Sequence, residues 1–297
     1  MEETMNNSGK STIIIAGAGQ FGRTFTYMLN HEQYSLIAYA DNNKALHGTV
    51  LPSPFGKEIP VLSLADAAAR MPDIILISVT DETRQGQLKD QLTDLHYTGR
   101  ILGLSDLSSL LDIRSAVLAR TARRINDLHV PGAAAELGVY RGDLAWKINA
   151  LFPDRLLYLF DTFEGFDERD VAIEQEHQTS YAQEGDFRDT SIQAVRSRLP
   201  YPAQAHFVKG YFPETAAPYM DQRYAFVSLD ADLYAPILAG LEYFVPRMEP
   251  GGMILLHDYN NTRFQGAKKA VEAYEGQHGP LKLLPLCDLH GTAAILF

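Results

Sequence analysis

The chain reads as an α/β protein built on two doubly wound, mostly parallel sheets. Three observations predict this. Apolar runs rich in β-branched residues alternate with segments of helical period. Two such runs lead straight into glycine-rich turns, at Gly17 and at Gly138. Others stop abruptly on acidic residues, as parallel strands do when their carboxyl ends face a ligand crevice. With 297 residues the length suits about two domains. We expect a nucleotide-binding domain at 1–105, a helical linker at 106–130 and a second domain at 131–297.

Composition narrows the partners. A hydrophobic fraction of 46% supplies two cores, and no apolar run approaches the ~20 residues of a membrane span. The N-terminus, MEETMNNSGK, is too polar for a signal peptide, and Cys287 is the single cysteine. A cytoplasmic location is expected. A formal net charge of −11 argues against nucleic acid and against an anionic membrane surface. The expected ligand is a small molecule.

In chain order, Thr12–Ala16 is a first strand. It runs into Gly17-Ala18-Gly19-Gln20-Phe21-Gly22, a helical segment, and a second strand, Ser35–Ala40, that ends on Asp41. Glycines there let the backbone approach a pyrophosphate at a helix N-terminus, and the acid about 20 residues on can take ribose hydroxyls. Gly17, Gly19, Gln20, Phe21, Gly22 and Asp41 are therefore candidate nucleotide-binding residues. Pro72–Val79 reads as a buried parallel strand and Ile101–Leu104 as a short last one. A Tyr-x-x-x-Lys pair and a separate catalytic domain, expected of a dehydrogenase, are missing. With the A-D-N-N turn and the G-K-E-I-P-V-L segment from Gly56 to Leu62, the stretch resembles the Rossmann-like nucleotide-sugar-binding domain of bacterial sugar acyltransferases. A nucleotide, a nucleotide sugar or NAD would suit it, and a structural or oligomerisation role is the alternative.

The linker, Leu107–Leu128, places Leu107, Leu110, Leu111, Val117, Leu118, Ile125 and Leu128 near helical period, with Arg120, Arg123 and Arg124 on a solvated face. Pro131-Gly132 ends it.

The second domain opens on G-A-A-A-E-L-G-V-Y-R-G (132–142), a small-residue strand, a glycine turn and a helix, with Trp146 expected in the core. The next strand, Arg155–Phe160, ends on Asp161. This layout resembles class I S-adenosylmethionine-dependent methyltransferases; a phosphate-binding turn or packing glycines are the alternatives. Farther on, two strand-type runs between Tyr224 and Tyr259 end on Asp230 and Asp232 and on His257 and Asp258. Such a cluster suits a metal or acid–base site. Two apart on one strand end, Asp230 and Asp232 point the same way if the strand geometry persists through them.

Five ordered motifs, E-L-G-V-Y-R-G, F-D-T-F-E-G-F, V-K-G-Y-F-P-E-T, L-D-A-D-L-Y and P-G-G-M-I-L-L-H-D-Y, resemble the macrocin O-methyltransferase family over roughly 130–297. The resemblance implies a methyltransferase sheet whose last strand is antiparallel, formed by Leu281–Pro285 and Thr292–Phe297. It implies S-adenosylmethionine against Glu136, Gly138, Tyr140, Gly142 and Asp161, with Asp186, Phe187, Lys209 and Gly210 on the adenine side. It makes Asp230 and Asp258 metal ligands and Asp232 the general base. The family's Asp-Asp-Tyr is His257-Asp258-Tyr259 here.

A sugar hydroxyl is a poor nucleophile, and an ordinary Asp, with a pKa of ~3.9, cannot deprotonate it unaided. Metal and carboxylate therefore make sense together. His257 in place of a carboxylate weakens a magnesium site and suits manganese, iron or zinc. His257 as an acid–base or substrate contact, or as a solvated loop residue, is the alternative. The acidic stretch 167–189, with His177, Tyr181 and Phe187, is either a lid over the cofactor or a solvated surface helix.

The expected activity is O-methylation of a sugar-type small molecule, with a homo-oligomer as the assembly. The rivals are a non-catalytic S-adenosylmethionine- or nucleotide-binding regulator and an NAD-dependent oxidoreductase.

Overall fold

A computed structural model describes residues 10–31, 33–53, 57–108, 112–177, 180 and 182–297. Gly56, Leu110, Leu111, Tyr181 and the side chain of His177, named above, lie outside the described residues. The chain divides into two compact units, Met1–Asp112 and Ile113–Phe297.

The first unit runs β1 (Ser11–Ala16), α1 (Gln20–Met28), β2 (Tyr34–Ala40), β3 (Val50–Pro52), β4 (Glu58–Leu62), α2 (Leu64–Ala69), β5 (Ile74–Ile77), α3 (Glu82–Asp94), β6 (Arg100–Gly103) and α4 (Leu104–Ser108). Its sheet order is β3-β4-β2-β1-β5-β6, parallel except for the edge strand β3. The all-apolar Ile74–Ile77 is wholly buried, as a central parallel strand must be.

The second unit runs α5 (Ile113–Asp127), β7 (Ala133–Leu137), α6 (Ala145–Leu151), β8 (Leu157–Asp161), α7 (Glu168–His177), α8 (Ile192–Arg198), β9 (Ala205–Lys209), β10 (Tyr224–Leu229), α9 (Tyr234–Phe244), β11 (Met248–Leu256), α10 (Gly266–His278), β12 (Leu283–Pro285) and β13 (Ala293–Leu296). Its sheet order is β12-β13-β11-β10-β7-β8-β9. The C-terminal strand β13 is antiparallel to both neighbours, and the rest of the sheet is parallel. The central strands β7 and β10 are buried end to end, and two apolar layers flank the sheet.

The linker is two helices rather than one. The longer, α5, buries Leu118, Ala122 and Ile125 against the second unit and belongs to it. Trp146 does not enter the core: its neighbours Ala145 and Ile148 take the inner face of α6, leaving the indole 38% exposed under the Lys147 ammonium.

Candidate active site

In the first unit, Asp41 follows β2 and turns inward. Its Oδ2 accepts the Ala18 amide at 2.9 Å and its Oδ1 the Asn43 amide at 2.8 Å. The carboxylate thus braces the glycine turn that precedes α1. Gly22 has to be glycine, because a Cβ there would lie 2.0 Å from the Gly17 carbonyl oxygen. Gly17, Gly19, Gln20, Phe21, Gly22 and Asp41 all fall on this strand–turn–helix corner.

The second unit repeats the device. Asp161, the last residue of β8, accepts the amides of Val139 and Tyr140 through Oδ2, at 2.6 and 2.9 Å, and that of Phe163 through Oδ1. The glycine turn after β7 is held from the next strand. Gly138, at φ +85°, packs its backbone onto the turn after β10: a Cβ would lie 2.2 Å from the Asp230 carbonyl oxygen. Gly210 donates its amide to the Asp161 carbonyl, and Lys209 pairs with Glu164 at 2.7 Å. The Phe166 amide donates to the Asp186 carbonyl and the Phe166 carbonyl accepts the Gly185 amide, bonds that carry Asp186 and Phe187 to the same face. The Phe187 ring sits edge-to-face with Tyr140 and Phe166, each at 5.1 Å. The predicted cofactor residues therefore gather at one sheet end.

Glu136 is 1% exposed, and its Oε2 has no hydrogen-bond partner among the described residues. Burial first, and the charge of Asp230 second, push its carboxyl well above the ordinary value, against the pull of Arg114.

Beside it lie the four strand-end residues. Asp230, Asp232, His257 and Asp258 each offer a ligand atom within 4.8 Å of the others. Strand geometry does not bring the two β10 acids together. The strand ends at Leu229, Asp232 adopts φ +56°, and a tight turn folds its carboxyl back toward Asp230. Asp258 is also left-handed, at φ +58°, and accepts the Asn261 amide group at 2.5 Å.

His257 Nδ1 is buried 2.9 Å from Asp230 Oδ1 and 3.2 Å from Asp258 Oδ2, outside the hydrogen-bonding directions of both. Such an atom, facing two carboxylate oxygens, fits a divalent cation that accepts nitrogen as well as oxygen donors. Without one the residues balance one another. Burial lowers the His257 imidazole, but Asp230 more than offsets this and raises it to about 10. Burial raises Asp230, but Arg114 and His257 hold it far below the carboxylate range. Asp232 goes the other way, pushed well up by burial, by the charge of Asp230 and by its hydrogen bond with Asp258.

The family model for macrocin O-methyltransferases (TylF) matches residues 106–293. The chain belongs to this family. One relative is the 8-demethyl-8-(2,3-dimethoxy-alpha-L-rhamnosyl)-tetracenomycin-C 4'-O-methyltransferase of Streptomyces olivaceus, 27% identical over 55% of this chain and 64% of its own. Another, the mycinamicin III 3''-O-methyltransferase of Micromonospora griseorubida, is 26% identical over 50% of this chain and 63% of its own. The chain thus spans just under two thirds of these relatives. The crystal structure of CalS11, a calicheamicin methyltransferase, shares the fold at a TM-score of 0.50, with 21% identity over 79% of this chain and 91% of that one.

Two site residues of this macrocin O-methyltransferase family member escaped the sequence reading. Arg114, on α5, donates from Nη2 to Asp230 Oδ2 at 2.9 Å and to Ser228 Oγ at 3.2 Å. It was hidden among four arginines of one helix, and only the burial of its face sets it apart. The His290 ring stacks 5.4 Å from that of His257, brought there by the β12–β13 turn, whose Gly291 packs on Asn260. No sequence spacing connects these two histidines.

Proposed function

We propose that the second unit, with α5, moves a methyl group from S-adenosylmethionine to a hydroxyl of a sugar or sugar-bearing metabolite. The observation that carries this is the contact between Gly138 and the Asp230 backbone. It sets the cofactor turn directly against the acidic cluster, so a methyl donor and an acceptor oxygen held by the two would lie close together. Glu136, Gly138, Tyr140, Gly142 and Asp161 would take the methionine and ribose portions. Asp186, Phe187, Lys209 and Gly210 would line the adenine side. The relatives' names, with rhamnosyl tetracenomycin and mycinamicin acceptors, support a sugar hydroxyl.

Asp232 is the base in this reading. Its raised proton affinity is the property a carboxylate needs to take a proton from an alcohol. Asp230, His257 and Asp258 would seat a divalent cation, which when bound polarises the acceptor hydroxyl. The nitrogen donor favours manganese, iron or zinc over magnesium. For the first unit, the braced turn at Gly17–Gly22 with Asp41 supports a nucleotide, a nucleotide sugar or NAD. A nucleotide sugar is the ligand that would join it to sugar chemistry.

The test is transfer of labelled methyl from S-adenosylmethionine to a panel of free and nucleotide-linked sugars, after chelation and with each metal restored. Asp232→Asn is expected to lower the rate by roughly 10²–10⁴. Near-normal turnover by that variant removes Asp232 from the role, and full activity in strong chelator removes the metal.

A further inference from the structure

We infer that Glu174 is a positioning residue, whose carboxylate on α7 holds the turn that presents Asp232. Helix α7 falls in the acidic stretch 167–189, whose sequence suits a solvated helix as well as a lid. Its packing decides otherwise. Asp170, Val171 and Glu174 form a buried face, and Glu174 is 0% exposed. Val171 joins Ala182, Leu233 and Phe264 in a small apolar cluster of its own. The start of the helix is fixed as well. Asp170 accepts the Tyr211 hydroxyl at 2.8 Å, and the Arg169 guanidinium lies 3.5 Å over the Tyr211 ring while pairing with Asp167 and Glu214.

From this seat Glu174 Oε1 accepts the Tyr234 amide at 2.6 Å. Tyr234 opens α9, which has no side-chain cap of its own: its N-cap is Leu233. A helix N-terminus presents amides that need an acceptor and favours negative charge there. The acceptor comes from 60 residues away. Helix α10 also lacks a side-chain cap and starts against the same carboxylate, since a Cβ on Gly266 would lie 2.5 Å from the Tyr234 nitrogen and 2.6 Å from Glu174 Oε1. Two residues before Tyr234 is Asp232 in the left-handed region. An L-residue holds that conformation only where its surroundings fix it. Leu233, 1% exposed, and the Tyr234 amide are the fixed points on its C-terminal side, and both are held by the α7 segment.

The inference rests on Asp232 being the base, and the experiment separates the two. In the full chain, Glu174→Ala is expected to speed hydrogen exchange at amides 230–235 about tenfold, the worth of a lost cap. Glu174→Gln, which keeps the Oε1 acceptor, stays within about threefold of the wild type. Methyl transfer by Glu174→Ala falls roughly 10–100-fold in kcat, as expected for a misplaced base. S-adenosylhomocysteine binding by calorimetry stays within about twofold, because the cofactor turn is braced separately by Asp161. Unchanged exchange at 230–235, a rise spread evenly over the second unit, or a loss confined to S-adenosylhomocysteine binding would overturn the inference. If local exchange rises as stated while Asp232→Asn remains active, the base assignment fails and the clamp stands.

Discussion

Gly138→Ala tests the contact on which the proposed chemistry depends. A Cβ at 138 would stand 2.2 Å from the Asp230 oxygen, 2.6 Å from its carbonyl carbon and 3.0 Å from the Ala231 nitrogen. All three are backbone atoms of a turn held by strand pairing, so they cannot rotate away as a side chain would. Ordinary contact begins near ~3.5 Å, so the two turns must part by about 1 Å. A side chain at φ +85° adds its own strain. Left-handed strain of about 1–2 kcal/mol and overpacking of about 1–3 kcal/mol sum to roughly 2–5 kcal/mol, against a typical domain stability of about 5–15. A shift of that size between donor and acceptor costs on the order of 10² in rate. The assays are thermal unfolding of the second unit, calorimetry with S-adenosylhomocysteine, and methyl transfer. Gly276→Ala is the control. It lies on the exposed side of α10 with open space around it and should stabilise by roughly 0.5–1 kcal/mol. A Gly138→Ala protein within about 0.5 kcal/mol of the wild type, with intact binding, would refute the close approach.

Two further outcomes follow from buried charges. Burial raises the Asp170 carboxyl from 3.8 to about 6, partly opposed by the Tyr211 hydroxyl. A raised carboxyl pKa leaves the folded state least penalised below pH ~3.9 and increasingly penalised as pH climbs through 6, by up to about 3 kcal/mol. Asp170→Asn should therefore be more stable than the wild type at pH 8, by an advantage that shrinks toward pH 4. A melting-temperature difference that stays flat with pH would contradict this. Arg114→Met leaves Asp230 without its guanidinium partner and should cost about 3 kcal/mol in denaturant unfolding, with part recovered by adding Asp230→Asn. Strict additivity of the two changes would mean that the ion pair carries no coupling.

The fold was legible because its signals are local. Apolar runs such as Ile74–Ile77 and Tyr224–Leu229 are short, uninterrupted and bounded, and a parallel strand buried on both faces can look no other way. The strand-end residues were legible for the same reason, since the position of Asp230 or Asp258 follows from where an apolar run stops. Side-chain direction was not. Alternation along a strand predicts that Asp230 and Asp232 share a face, yet the strand ends at Leu229 and the two meet through a left-handed turn. Trp146 was misplaced because hydrophobicity says what a residue can bury, not which way its helix faces. Arg114, Glu174 and His290 act across long sequence separations, and a single sequence does not show which of several Arg, Glu or His residues the fold turns inward.

That inward turn explains how so many acids share one sheet end. Glu136, Asp230, Asp232 and Asp258 cannot all ionise readily in a largely buried space, because like charges at these separations raise one another. Arg114 and His257 sit on the two oxygens of Asp230 and hold it ionised. Asp258 is held ionised beside His257 against the pull of burial, whereas Glu136 and Asp232 are driven toward the protonated form. The cluster is thereby divided into carboxylates that attract positive charge and carboxyls with high proton affinity. Of the latter, Glu136 lies within β7, and Asp232 sits on the turn after β10. In the proposed reaction a base toward the sugar hydroxyl needs high proton affinity, a place at the strand end and an ionised resting form, which a cation held by Asp230 and Asp258 would favour at Asp232. A carboxylate bound by Arg114 lacks the affinity.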